Sequence, residues 1–158
     1  MTRSAEVLRR DRPVVLQPVG EDNRAAILAL ELMPEQQGLV ASNAESLAEA
    51  REDDEAVARA IVAAGRVVGF LMYSAPEEDD EAIIYRFMID RREQGKGFGR
   101  AAVAAALKEI AHPGHISRVS ICYEPQNEAA RRLYASFGFV EKELDEDGEM
   151  IAVLELGR

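Results

Sequence analysis

Cysteine and histidine are scarce in this chain. Cys122 is its one cysteine, and His112 and His115 are its two histidines, in 158 residues. A lone cysteine excludes an internal disulfide, and so few soft ligands give no basis for a cysteine- or histidine-rich zinc site, so no metal is expected. Long apolar runs are missing too. None approaches the ~18 residues that would span a bilayer. Basic residues are the minority, 19 Lys and Arg against 29 Asp and Glu, for a formal net charge of −10. Nucleic acid and anionic membranes attract basic surfaces, so neither is expected as a partner. Acidity of this size serves solubility in many proteins, and it is also compatible with a cationic substrate. The first dozen residues, Met1 to Arg12, are charged and lead into no apolar stretch. They are expected to form a flexible tail, and the protein is expected in the cytoplasm. No internal repeat or linker divides the remainder, and 47% hydrophobic content is enough for a sizeable core. Residues 13–158 are therefore expected to form one domain.

What stands out against this background is Gln94-Gly95-Lys96-Gly97-Phe98-Gly99-Arg100, between an apolar run (Ile83 to Ile89) and an alanine-rich helical stretch (Arg100 to Ala111). Amides at a helix start lack intrahelical partners and sit at the positive end of the peptide dipole, so they bind phosphate readily. Gly95, Gly97 and Gly99 have no Cβ to hold a ligand away, and Lys96 and Arg100 add mobile positive charge. The same composition also makes ordinary turns. The spacing matches neither the P-loop nor the dinucleotide-binding glycine pattern.

Along the chain, Val14 to Gln17 reads as a short strand stopped by Pro18. Asp22 or Asn23 is placed to cap a helix reaching about Leu32, which the Met33-Pro34 step ends, and Pro34 to Val40 reads as a loop. Ser42 to Glu45 and Ser46 to Glu49 both fit a capping box, giving a helix to about Glu52. Val57 to Val62 and Val67 to Tyr73 form a hairpin about Ala63 to Arg66, and Pro76 to Glu81 is a solvated turn. Ala82 to Asp90 is expected to be a central strand with Ile83, Tyr85, Phe87 and Ile89 on one face. The helix after the glycine loop buries Val103, Ala106, Leu107, Ile110 and Ala111 and leads to a strand, Arg118 to Tyr123, that a right-handed crossover makes parallel to the central one. Asn127 caps a helix from Glu128 to Phe137 and Gly138 ends it. Phe139 to Leu144 and Met150 to Leu156 close the chain as a hairpin. This order describes an α/β protein of the α+β kind, a central mixed and mostly antiparallel sheet with helices on both faces.

With loop and order together, the chain resembles the GNAT superfamily of N-acetyltransferases, which move acetyl from acetyl-coenzyme A (acetyl-CoA) to amines. Its Q/R-x-x-G-x-G/A motif matches Gln94 to Gly99, and its N-x-x-A-x-x-L-Y-x-x-x-G-F pattern is complete as Asn127, Ala130, Leu133, Tyr134, Gly138 and Phe139. The likeness covers about residues 13 to 156. Val40 to Ala50 and Arg86 to Asp90 also resemble bacterial diamine and spermine/spermidine N-acetyltransferases.

The resemblance implies an acyl-CoA N-acyltransferase fold, possession of acetyl-CoA as cosubstrate, and a set of roles. The backbone from Gln94 through Gly95, Lys96, Gly97, Phe98 and Gly99 to Arg100 would hold the pyrophosphate. Phe87, Met88 and Ile89 would pair with the pantetheine arm like an added strand, with Asn127 and Ala130 opposite. Tyr134 would be the general acid that protonates the departing sulfur, although an aromatic at helical spacing is usually core. The usual glutamate base is replaced by Ile83, leaving Glu81, Tyr85 and Glu124 as substitutes acting through water. Glu31 and Glu35 fall where a polyamine groove is expected, and Tyr85 and Glu124 are further candidates for substrate contact. The Asp145, Glu146, Asp147 and Glu149 cluster reads mainly as an exposed charge run, and Cys122 as a small buried hydrophobe. The acceptor would be a small cationic amine, a polyamine first, with another amine or a protein N-terminus as alternative. A non-catalytic CoA- or polyamine-binding module is a third reading. Dimers are frequent in the superfamily, which makes a homodimer the oligomer to look for.

Overall fold

The computed structural model describes residues 13–32 and 42–157. The expected tail, the Met33-Pro34 step, the loop from Pro34 to Val40 and Glu35 within it lie outside the described residues. The elements are β1 (Val15–Pro18), α1 (Glu21–Leu28), α2 (Asn43–Glu52), β2 (Ala56–Ala63), β3 (Arg66–Ser74), β4 (Glu81–Ile89), α3 (Phe98–Ala111), β5 (Arg118–Tyr123), α4 (Glu128–Ser136), β6 (Val140–Leu144) and β7 (Met150–Glu155). The strands form one seven-stranded sheet in the order β1-β2-β3-β4-β5-β7-β6. β4 and β5, joined through α3, are parallel, and every other neighbouring pair is antiparallel.

Local chemistry explains most boundaries. Ala64 and Gly65, at φ +49° and +80°, turn β2 into β3 in the two-residue form whose twist suits a hairpin. Ser42 Oγ accepts from Glu45 N at 3.1 Å and donates to the Glu45 carboxylate at 3.0 Å, so the first of the two capping boxes starts α2. Asn127 Oδ1 accepts from Ala130 N at 3.3 Å, and Gly138 takes φ +99° where α4 stops. Two expectations need correction at the N-terminal end. α1 is capped by Gly20, not Asp22 or Asn23: Asn23 lies inside the helix and its Oδ1 reaches back to Gly20 N at 2.9 Å. The helix then stops at Leu28, short of Leu32. Pro18 ends β1 from within, which an edge strand tolerates because a proline there removes little of the ladder.

The sheet has an apolar layer on each face. Ile27 of α1 and Leu47 of α2 pack with Ala60, Phe70, Met72 and Met88 on one side. On the other, α3 supplies Phe98, Ala102, Val103, Ala106 and Ile110, and α4 supplies Tyr134, against Ile61, Leu71, Ala82, Ile84, Ile89 and Ile121.

β4 departs from its expected faces. Met72 and Tyr73 are adjacent on β3, yet they pair with Arg86 and Ile84, leaving Tyr85 as an extra residue in a β-bulge. One added residue inverts the alternation beyond it. Ala82 and Ile84 therefore share the α3 face with Phe87 and Ile89, whereas Ile83 is 41% exposed.

Candidate active site

The bulge marks where β4 and β5 part. Their register ends at Ile84↔Ile121. Beyond it β4 pairs with β3 alone, and β5 with β7. The space between opens as a groove of about 610 Å³, lined from β4 by Tyr85 to Ile89 and from the other bank by Cys122, Tyr123 and Glu124. A strand edge without a neighbour offers backbone N–H and C=O groups in a row, a template for an extended ligand.

At one end of this edge the chain turns through a single 3-10 turn, Arg91–Glu93, into the glycine loop. Gln94 Nε2 donates to the Ile89 carbonyl at 3.0 Å and so fastens the loop to β4. Gly95 and Gly97 have φ of +78° and +89°, values that a Cβ would strain. Gly97 is the N-cap of α3, and among the described residues no side chain caps that helix, so its first-turn amides keep their capacity for an anion. Gln94, Gly95 and Gly99 line the groove; the side chain of Phe98 is buried in the core. Lys96 and Arg100 are not mobile charge. Lys96 Nζ lies 2.9 Å from Glu93, which also takes a two-point pair from Arg66. Arg100 donates to Ser136 Oγ at 2.8 Å and stacks 5.0 Å over the Phe137 ring.

Tyr134 of α4 lines the groove and is only 4% exposed. Its ring is held at 6.4 Å from Phe87, 5.4 Å from Tyr123 and 5.8 Å from Phe139. Among the described residues its hydroxyl has no hydrogen-bond partner, whereas Tyr123 gives its own proton to Glu141 at 2.8 Å. Burial, and then the neighbouring Tyr123, push the Tyr134 phenol well above its ordinary value. It therefore carries its proton at neutral pH. Asn127 and Ala130 stand on the same bank, with Asn127 occupied as the cap of α4.

The other end of the groove is acidic. Glu45, Glu124 and Glu149 line it, and Arg86 is the single basic side chain among its described lining residues. Arg86 is committed elsewhere: Nη2 to Glu49 at 2.9 Å, Nη1 to the Tyr85 carbonyl at 2.8 Å and Nε to Ser46 Oγ at 3.2 Å. The Tyr85 hydroxyl is buried with no partner among the described residues. Burial first, then Asp53 and Glu49, raise it to about 12 against the opposing pull of Arg86. Cys122 lines the groove half-buried and is thus more than core filling.

Several candidates are not brought here. Glu81 accepts from Ser120 Oγ at 2.6 Å and Arg118 Nε at 3.4 Å at the opposite end of β4. With Ile83 it borders a separate, smaller cavity of about 320 Å³. Glu31 is exposed and paired to Arg91 at 3.0 Å. Glu45 and Arg86 are lining residues that sequence reasoning missed, and Glu149 was submerged in an acidic run. The missing signal for Glu149 is strand order: β7 inserts beside β5, and Tyr123↔Met150 is the last pair before Glu124 and Glu149. Among the described residues no group of three or more His, Cys, Asp or Glu is placed to hold a metal ion, and no helix is long and apolar enough to cross a membrane.

The site is thus an open strand edge, a glycine loop at a helix start and a buried phenol along one groove. The profile of the Acetyltransferase (GNAT) family matches residues 26–139. The spermine/spermidine N(1)-acetyltransferase of Bacillus subtilis (strain 168) is 35% identical over 148 residues, 89% of this chain and 97% of that protein. The L-2,4-diaminobutyric acid acetyltransferase of Wolinella succinogenes is 32% identical over 75 residues, 47% of this chain and 42% of its own. Among solved structures, the aminoglycoside acetyltransferase AAC(6')-Ib in complex with coenzyme A superposes with a TM-score of 0.75 at 16% identity, covering 90% of this chain and 95% of that one. The chain belongs to the GNAT family and is an acetyl-CoA-dependent N-acetyltransferase.

Proposed function

We propose that the chain acetylates a primary amine of a polyamine, with Tyr134 as general acid. The observation that carries this reading is the charge of the groove. Among the described residues three carboxylates, Glu45, Glu124 and Glu149, line it, while the one cation among them, Arg86, is already paired with Glu49. An ammonium group entering a groove gives up hydration and needs an anionic partner. Several carboxylates along one groove suit an acceptor with several ammonium groups. An acceptor carrying a carboxylate would instead want a free guanidinium, whereas Arg86 is already engaged through Nε, Nη1 and Nη2. The similarity to a spermine/spermidine acetyltransferase over nearly the whole chain supports the same choice.

The residues present fit acetyl-CoA. The amides of Gln94 to Arg100 would hold the pyrophosphate at the uncapped start of α3, with Gly95 and Gly97 giving close approach. The open edge of β4 at Phe87, Met88 and Ile89 would take the pantetheine arm, with Asn127 and Ala130 facing it. When bound, acetyl-CoA supplies an activated thioester. Tyr134 then gives its proton to the leaving sulfur, a role worth roughly 10²- to 10⁴-fold. Tyr85 and Glu124 border the space left for the acceptor.

The test is thiol release from acetyl-CoA with spermine, spermidine, putrescine, an aminoglycoside, single amino acids and a short peptide. Saturable turnover of a polyamine in preference to the others is expected. Turnover of a different amine with none of the polyamines rejects the polyamine reading.

A further inference from the structure

The acceptor amine is an ammonium ion at neutral pH and cannot attack until a base takes its proton. Of the sequence-level candidates, Glu81 is bound at the far end of β4 and the Tyr85 phenol is a weak base, while Glu124 lines the groove beside Glu149. We propose that Glu149, at the end of the β6–β7 hairpin, is the general base that deprotonates the acceptor.

The position follows from the sheet. Met150 pairs with Tyr123, and the next residues outward, Glu149 and Glu124, leave the ladder together where β5 ends. Both line the groove, on the bank that holds Tyr123 and Tyr134. The hairpin fixes the Glu149 backbone twice: its N–H donates to Asp145 Oδ1 at 2.9 Å, and its carbonyl accepts from Asp145 N at 2.7 Å. Its side chain is spared. Among the described residues the Glu149 carboxylate makes no hydrogen bond or ion pair, in contrast to Glu45, Glu49, Glu81 and Glu93, each held by a neighbour.

The surroundings raise its basicity. Burial leads, followed by Asp145, Glu124 and Asp147, while Arg86 across the groove pulls the other way. Glu45 from α2, Tyr85 from β4, Cys122 and Tyr123 from β5 and Tyr134 from α4 complete the titratable groups among the described lining residues. A carboxylate raised in this manner holds a proton better than an ordinary one.

The proton inventory closes. One N–H bond of the ammonium breaks, its proton goes to a Glu149 oxygen, and the electron pair stays on nitrogen. That pair forms the C–N bond to the acetyl carbon; the C–S bond breaks, and its pair leaves on sulfur with the proton of Tyr134. The second nitrogen proton returns to Tyr134, and Glu149 releases its proton to solvent.

The inference rests on acetyl transfer to an amine and not on that amine being a polyamine, so a panel favouring another amine leaves its test intact. Glu149→Gln is compared with wild type by kcat/KM from about pH 5 to about pH 10, using whichever amine turns over, with acetyl-CoA affinity by calorimetry as the check on folding. The wild-type profile should be level across neutral pH. In the variant, solution must supply the neutral amine, so kcat/KM should fall at least about 10²-fold near neutrality and recover about tenfold per pH unit toward the amine pKa. A variant profile parallel to wild type, with only KM raised, overturns the proposal and makes Glu149 an ammonium anchor. If Glu149→Gln does not fold, Glu149→Asp carries the test. Shortening the side chain should lower kcat while leaving the profile level, and an unchanged kcat overturns the assignment.

Discussion

Tyr134 meets two demands that usually conflict. Its ring is a structural member of an aromatic group with Phe87, Tyr123 and Phe139, yet its hydroxyl has no hydrogen-bond partner among the described residues. Tyr134→Phe should preserve the packing and remove the proposed acid. We expect kcat to fall by roughly 10²-fold or more with acetyl-CoA affinity unchanged, read by steady-state kinetics beside calorimetry; full activity would remove Tyr134 from the chemistry. This residue was legible because its motif lies on one short helix whose cap, Asn127, and stop, Gly138, are local signals. Glu149 was illegible for the opposite reason. Its neighbours are Glu124 and Arg86, 25 and 63 positions away, and only the pairing of β7 with β5 brings them together.

At the scale of elements, the groove exists because two strands that run in parallel stop pairing. The sequence shows that β4 and β5 are parallel, since the helix between them demands a crossover. It does not show the bulge at Tyr85, which involves no glycine or proline and is decided by how β3 lies against β4. A strict period of two therefore placed Ile83 with Phe87 and Ile89. The glycine loop was legible in outline, but not the ties of Lys96 to Glu93 or of Arg100 to Ser136, which depend on where neighbouring elements end. What remains for an anion there is backbone. Gly97→Glu adds a Cβ at φ +89° and a negative charge beside the uncapped amides of α3. Acetyl-CoA binding should be lost while the far-ultraviolet circular dichroism stays that of the folded chain. Normal binding by calorimetry would move the pyrophosphate elsewhere.

Across the whole molecule, acidity has two uses: Glu45, Glu124 and Glu149 line the groove, and Glu93 ties the sheet to the glycine loop through Arg66 and Lys96. Hydrogen bonds from Arg66 and then Lys96 hold the Glu93 carboxyl down at about 2, against an ordinary value of 4.5. A carboxyl depressed in the folded state stabilises it above the unfolded value, and that contribution disappears as pH falls from about 4.5 toward about 2. Thermal melts should show wild type losing more stability across that window than Glu93→Gln does. Equal losses would mean that the pairs around Glu93 contribute nothing, as many exposed ion pairs do.

The claim on which the rest depends is that one groove brings acetyl-CoA and a polyamine together beside Tyr134. A crystal structure of the complex with coenzyme A and spermine tests it directly. The pantetheine is expected along Phe87 to Ile89, the sulfur within hydrogen-bonding reach of the Tyr134 hydroxyl, and a terminal nitrogen against Glu149 and Glu124. Spermine bound outside the groove, or a thiol held away from Tyr134, would contradict it.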